Sequence, residues 1–90
     1  MKKFLIERTI PGAGKLSAKD LDDVTAKSNA VLRELGPEVQ WVQTYVTADK
    51  IFCVYNARDA EIVREHARRG GFPADAIHQV TAVMDPTELR

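Results

Sequence analysis

The chain has 90 residues, of which 44% are hydrophobic and 29% are charged, and its 13 basic residues balance its 13 acidic residues. This length suits one domain, whose small core often relies on a partner chain. The balanced charge argues against a nucleic-acid partner, which a basic patch would attract, and no apolar run reaches the length of a membrane span. The single cysteine, Cys53, excludes an internal disulfide. We therefore expect a cytoplasmic protein.

The first half of the chain predicts a strand followed by a long helix. Apolar residues between Lys3 and Ile10 indicate the strand, which a Pro-Gly pair ends. Ser17 is a typical helix N-cap, and Asp20 three residues later completes a capping box. The helix is expected to end at Gly36. Its apolar stripe, at helical spacing, consists of Leu21, Val24, Ser28, Val31, Leu32 and Leu35.

The second half predicts a hairpin, a helix and a last strand. Alternating residues indicate strands over Val39 to Thr47 and Lys50 to Asn56, joined by a short turn. Asp59 is placed to cap a second helix, which would end at Gly70. A final strand is expected from Ile77 to about residue 83, followed by a polar tail from about residue 85. The order of elements is that of one ferredoxin-like α+β domain over residues 1–90.

In this fold two helices cover one face of a four-stranded antiparallel sheet, and the other face is bare. If Val42 and Val46 face the helices, alternation places their odd-numbered neighbours on the bare face. By the same alternation Phe52 and Val54 would face the helices. The bare face would then carry Trp41, Gln43, Tyr45, Cys53 and Tyr55. Because an apolar face needs cover, we expect a dimeric α/β-barrel with a pocket in which Trp41, Tyr45 and Tyr55 bind a ligand.

Both histidines lie near the C-terminal end. His66, near the end of the second helix, is either a metal ligand or acid–base group, or a residue that bonds a terminal carbonyl. His78, on the last strand, is either a ligand or a half-buried strand residue. Neither belongs to a recognised metal-binding spacing, so a metal site would require the fold, or two chains, to bring its ligands together.

Four further residues are candidates for a site. Cys53 is either a buried, inert thiol or a metal ligand or nucleophile that a histidine activates. Glu7 interrupts an apolar strand, so it either pairs with a cation, such as Arg8 or Lys50, or faces a pocket. Tyr45 and Tyr55 either pack as aromatic residues or present their hydroxyls to one cavity.

Several segments resemble the DUF4242 family of small bacterial proteins. They are IERTIPG, WVQTY, KIFCVYNA and IVREHARRGGFPADAIHQV. The resemblance reaches to about residue 86, and it implies a ferredoxin-like dimer. At least one family member is a nickel-binding protein. The matching residues are Glu65, His66, Gly71, Phe72 and Pro73, together with the strand residues Glu7, Tyr45, Lys50, Cys53 and Tyr55.

Three functions stay open from the sequence. The first is a homodimer that binds nickel, another divalent transition metal or a small ligand, with His66, Glu7, Cys53 and His78 as candidate metal ligands. The second is a cofactor-free enzyme of the isomerase, cyclase or monooxygenase type, in which Glu7 or His66 is the general base and Tyr45 or Tyr55 stabilises an oxyanion. The third is an interaction module whose aromatic face only forms a dimer contact.

Overall fold

The computed structural model describes residues 1–88 and confirms the predicted order of strands and helices. A short 3₁₀ turn, Ala13–Lys15, is the one addition within that range. The strands and helices are β1 (Lys2–Thr9), α1 (Ala18–Leu35), β2 (Val39–Val46), β3 (Lys50–Ala57), α2 (Ala60–Gly70) and β4 (Ala76–Val80). β4 is shorter than predicted, since it ends at Val80 rather than near residue 83.

The four strands form one sheet in the order β2-β3-β1-β4, and each neighbouring pair is antiparallel. The two strands in the middle, β1 and β3, come from different halves of the chain, which is the arrangement of a ferredoxin-like fold. The predicted fold class is therefore confirmed.

Local capping explains where the helices begin and end. The Ser17 hydroxyl accepts from the Asp20 amide at 3.1 Å, and the Asp20 carboxylate accepts from the Ser17 amide at 3.2 Å, so the predicted capping box is present. At α2 the Asp59 carboxylate accepts from the Ile62 amide at 3.0 Å. Gly71 follows α2 with a left-handed φ of 71°, a conformation that glycine adopts without steric cost.

Burial alternates along the two central strands and shows which face the helices cover. On β1 the buried residues are Phe4, Ile6 and Arg8. On β3 they are Ile51, Cys53, Tyr55 and Ala57. The expectation that Cys53 and Tyr55 lie on the bare face is therefore wrong. Both alternate sets of β3 contain apolar residues, so alternation alone could not separate the two faces.

A bulge in β2 changes which side of the sheet its alternate side chains lie on, halfway along the strand. Trp41 is opposite Tyr55 and Thr44 is opposite Cys53, so these two residues share the helix-covered side although they are three positions apart. The irregularity lies between Trp41 and Gln43, and an inserted residue of this kind re-aims the side chains that follow it. The placement of Trp41 on the bare face is therefore wrong.

The bare face nevertheless carries apolar side chains beside the charged Glu7 and Lys50, although of the five residues expected there only Gln43 and Tyr45 lie on it. Tyr45 lies opposite Phe52 on this face and is 54% exposed. Leu5, Phe52, Val54 and Val80 on the same face are only partly buried. Within residues 1–88, neither helix is both long and apolar enough to cross a membrane.

Candidate functional site

The structure places the candidate residues in two regions, on opposite faces of the sheet. The helix-covered side holds His66, Cys53, Tyr55 and Trp41, and the bare face holds Glu7, His78 and Tyr45. The hypothesis of a single pocket that contains both tyrosines is therefore wrong. The sheet separates the two groups.

A buried arginine, Arg8, is the strongest feature of the helix-covered side. It is 3% exposed and lies on β1 in the same alternate set as the core residues Phe4 and Ile6. Its guanidinium donates to the carbonyl of Pro73, lies 3.5 Å from the Tyr55 hydroxyl, and sits 5.7 Å from the centroid of the Phe72 ring. Among residues 1–88 no carboxylate forms an ion pair with it.

His66 is fully buried beside this arginine. Its Nε2 atom lies 3.0 Å from the Ser28 hydroxyl, and its ring packs against Tyr55 and Phe72 at centroid distances of 5.3 and 5.6 Å. Burial, and next the positive charge of Arg8, lower the pKa of His66 to about 4. The imidazole is therefore neutral at pH 7. The adjacent guanidinium would also repel a metal cation at this position.

The hydroxyl and thiol groups on the helix-covered side form a short chain of hydrogen bonds. The Trp41 indole donates to the Thr44 hydroxyl at 2.8 Å, and that hydroxyl donates to Cys53 Sγ at 3.2 Å. Burial raises the pKa of the neighbouring Tyr55 to about 12, so its phenol keeps its proton. Cys53 is 5% exposed and matches the interpretation of a buried thiol.

A cavity of about 260 Å³ opens between α1 and this side of the sheet. Arg8, Ser28 and Tyr55 contribute polar groups to its lining, whereas most of the remaining lining is apolar. Arg8 was not predicted from the sequence as a site residue, only as a possible partner of Glu7. A period-two pattern in β1, in which the arginine takes the place of a third core residue, is the signal that could have found it.

The bare face brings Glu7 and His78 close together. Glu7 lies opposite Ala76 and Leu5 lies opposite His78 in the β1–β4 register. Glu7 and His78 are thus diagonal neighbours on one face, where such side chains lie about 7 Å apart. His78 is exposed rather than half-buried. Glu7 pairs with Lys50 at 2.9 Å, one of the two partners considered for it.

The metal-ligand hypothesis can be tested on these positions. Within residues 1–88, no three His, Cys, Asp or Glu side chains converge as a metal site. Of the four candidate metal ligands, Glu7 and His78 are the two that lie on an accessible surface. The other two to four of the four to six positions that a transition metal fills would have to be taken by ligands from elsewhere, such as water or a second chain.

Comparisons with known proteins agree on fold and family. A crystal structure of SCO4226 from Streptomyces coelicolor A3(2) is similar, with a TM-score of 0.77 at 22% identity over 91% of this chain and 99% of that chain. No curated protein matches. A family model described as nickel responsive protein SCO4226-like matches residues 4–80, which is consistent with the resemblance to DUF4242, a name that this match leaves untested. The chain belongs to the SCO4226-like family of nickel responsive proteins.

Proposed function

We propose that the protein is a homodimer that binds a divalent metal ion of the nickel type on its bare sheet face, with Glu7 and His78 as ligands. The observation that carries this proposal is their placement as diagonal neighbours on one accessible face. Imidazole nitrogen and carboxylate oxygen are both suitable ligands for divalent transition metals. The family description, nickel responsive protein, and the resemblance to a family with a nickel-binding member favour nickel.

Two other candidate ligands are less suited to metal binding. His66 is fully enclosed and already contacts Ser28, and Cys53 is 5% exposed. Both lie on the side of the sheet that holds the buried cation Arg8, whose charge opposes the entry of a second cation. These two residues therefore support the packing of the core in our proposal and do not bind the metal.

A homodimer would complete the site. Two protein ligands are fewer than the four to six that nickel or zinc takes. A second chain whose bare face packs on the first would supply another Glu7 and His78. The half-buried side chains of Leu5, Phe52 and Val54 on that face would gain apolar cover from the same contact. The free cysteine is consistent with a reducing, cytoplasmic setting for such a dimer.

Metal binding must compete with an existing ion pair. The Lys50 ammonium donates to the Glu7 carboxylate, which also raises the pKa of Lys50. A metal ion that binds Glu7 would displace this ammonium. The pair is surface-exposed, and exposed pairs contribute at most about 1 kcal/mol to stability. Its loss would therefore reduce the free energy of metal binding only slightly.

Equilibrium dialysis against nickel tests the proposal. We expect the wild-type protein to retain nickel, and His78→Ala and Glu7→Gln each to lose most of it while remaining folded. Gln79→Ala is the matched control, because Gln79 is the exposed neighbour of His78 on β4 with its side chain on the other face. Retention by both variants at the wild-type level would overturn the assignment of the ligands, and a monomeric wild-type protein in light scattering would overturn the dimer.

The cofactor-free enzyme remains a weaker alternative. Its candidate groups were Glu7, His66, Tyr45 and Tyr55, and the structure divides them between the two faces of the sheet. Acid–base catalysis needs the groups within hydrogen-bond reach of one substrate. Because no one face of the sheet holds all four groups, the arrangement favours binding over catalysis.

A further inference from the structure

We propose that the cavity between α1 and the sheet binds a small organic carboxylate with an apolar body. This cavity lies on the opposite face of the sheet from Glu7 and His78, so the proposal is independent of metal binding. Arg8, Tyr55 and Ser28 line it with polar groups that would bind the carboxylate, and most of the other lining side chains are apolar.

Arg8 supplies the reason to expect an anion. A guanidinium has five N–H donors, of which the Pro73 carbonyl and the Tyr55 hydroxyl occupy two. The lining contains no aspartate or glutamate. A buried charge without a counter-charge is costly, and an arginine binds a carboxylate through two parallel hydrogen bonds. A carboxylate in the cavity would provide the missing partner.

Ser28, which also lines the cavity, adds a second donor. The Nδ1 atom of His66 is buried and has no partner in the described part of the chain, whereas Nε2 contacts the Ser28 oxygen. Because an orphaned buried N–H is rarer than an unpaired acceptor, we assign the proton of the neutral ring to Nε2. His66 then donates to Ser28, and the Ser28 hydroxyl keeps its own proton to donate into the cavity.

The lining of the cavity sets the size and the polarity of the part of the ligand that carries the carboxylate. The apolar part of the lining includes Leu21 and Val24 of α1 together with Trp41, Ile51 and Phe72. The volume of about 260 Å³ lies just below the range of drug-sized ligand pockets, so it favours a body of one ring or a short branched chain. Val24 is 43% exposed, which places it at the mouth of the cavity.

Benzoate and its neutral isostere benzamide test the proposal directly on the wild-type protein. Trp41 lines the cavity and is the one tryptophan of the chain, so its indole N–H signal in an NMR spectrum can be followed as the reporter of ligand entry. We expect benzoate to shift this signal in a saturable way, with an affinity at least about tenfold higher than that of benzamide, the difference that a charge-assisted hydrogen bond supplies. Arg8→Met should abolish the preference for benzoate. Arg33→Gln, which removes an exposed positive charge on α1, should retain it.

Two results would overturn the proposal. One is equal affinity for benzoate and benzamide, which would mean that the guanidinium does not bind the head group. The other is the absence of any saturable shift with either compound up to about 10 mM. If Arg8→Met fails to fold, the comparison of the two compounds on the wild-type protein decides the question alone.

Discussion

The Ser28 hydroxyl on α1 lies 3.0 Å from Nε2 of His66 on α2, so one buried hydrogen bond connects the two helices beneath the cavity. The two residues are 4% and 0% exposed. Loss of either partner would leave a buried polar group without a hydrogen bond, which costs about 1–3 kcal/mol. The contact therefore ties the position of α1 to that of α2.

Ser28→Ala should lower the free energy of unfolding by about 1–3 kcal/mol, because the Nε2 atom of His66 loses its partner. Urea denaturation measures this change. Asn29→Ala, at the exposed neighbouring position of α1, serves as the control and should have little effect. In a His66→Leu background the cost of Ser28→Ala should shrink, and an undiminished cost there would contradict a direct interaction.

Stability should fall with acid in a way that depends on His66. Its pKa is lowered to about 4 in the folded state, from an ordinary value near 6.5, so the unfolded chain takes up the proton first. The contribution of His66 to the free energy of unfolding is therefore complete above about pH 6.5. It is lost as the pH falls toward 4, by about 3 kcal/mol in total. Arg8 is the charged neighbour that opposes protonation, together with the enclosing Tyr55 and Phe72 rings.

Comparison of the wild-type protein with His66→Gln isolates this effect, because glutamine does not titrate and can still bond Ser28. Unfolding free energies measured in urea between pH 7 and pH 4.5 should decline less steeply in the variant. His78→Asn removes the exposed histidine and serves as the comparison variant. Identical slopes for wild type and His66→Gln would show that the buried imidazole carries no such linkage.

Gly70→Ala should destabilise the protein although alanine favours helices by about 1 kcal/mol over glycine. A Cβ atom at Gly70 would collide with the Phe72 ring, which lines the cavity and packs on His66. Overpacking of this kind costs about 1–3 kcal/mol. Thermal unfolding measures the net effect, and a rise in Tm would contradict the tight contact.

Lys50→Met should tighten nickel binding by roughly threefold or more, because it removes a cation that competes for the Glu7 carboxylate. Isothermal titration calorimetry gives the two affinities. Lys2→Met, at an exposed position on the same strand as Glu7, controls for the general loss of positive charge. An unchanged affinity in Lys50→Met would argue that Glu7 is not a ligand.

Local signals explain why the helix boundaries were predictable from the sequence. Ser17 and Asp20 form their capping box within four residues, and Asp59 caps α2 through Ile62 in the same way. Such contacts depend only on neighbours in the chain. The strand order followed from the order of elements for a similar reason, since few topologies accommodate it.

The side of the sheet on which each strand residue lies depends on contacts that the sequence does not show. In β3 both alternate sets are apolar, and in β2 the bulge next to Trp41 brings Thr44 to the helix-covered side. The burial of Arg8 follows from its contacts with Tyr55 and the Phe72 ring, which only the folded chain brings together. The split of the candidate site into two regions could therefore not be predicted from the sequence.

Paramagnetic broadening in ¹H–¹⁵N NMR spectra would locate bound nickel and so test the proposed metal site. We expect substoichiometric Ni²⁺ to broaden the signals of Leu5, Glu7 and His78 first, and His78→Ala to remove this broadening. Broadening centred on His66 and Cys53 would contradict it, because it would place the metal on the helix-covered side of the sheet.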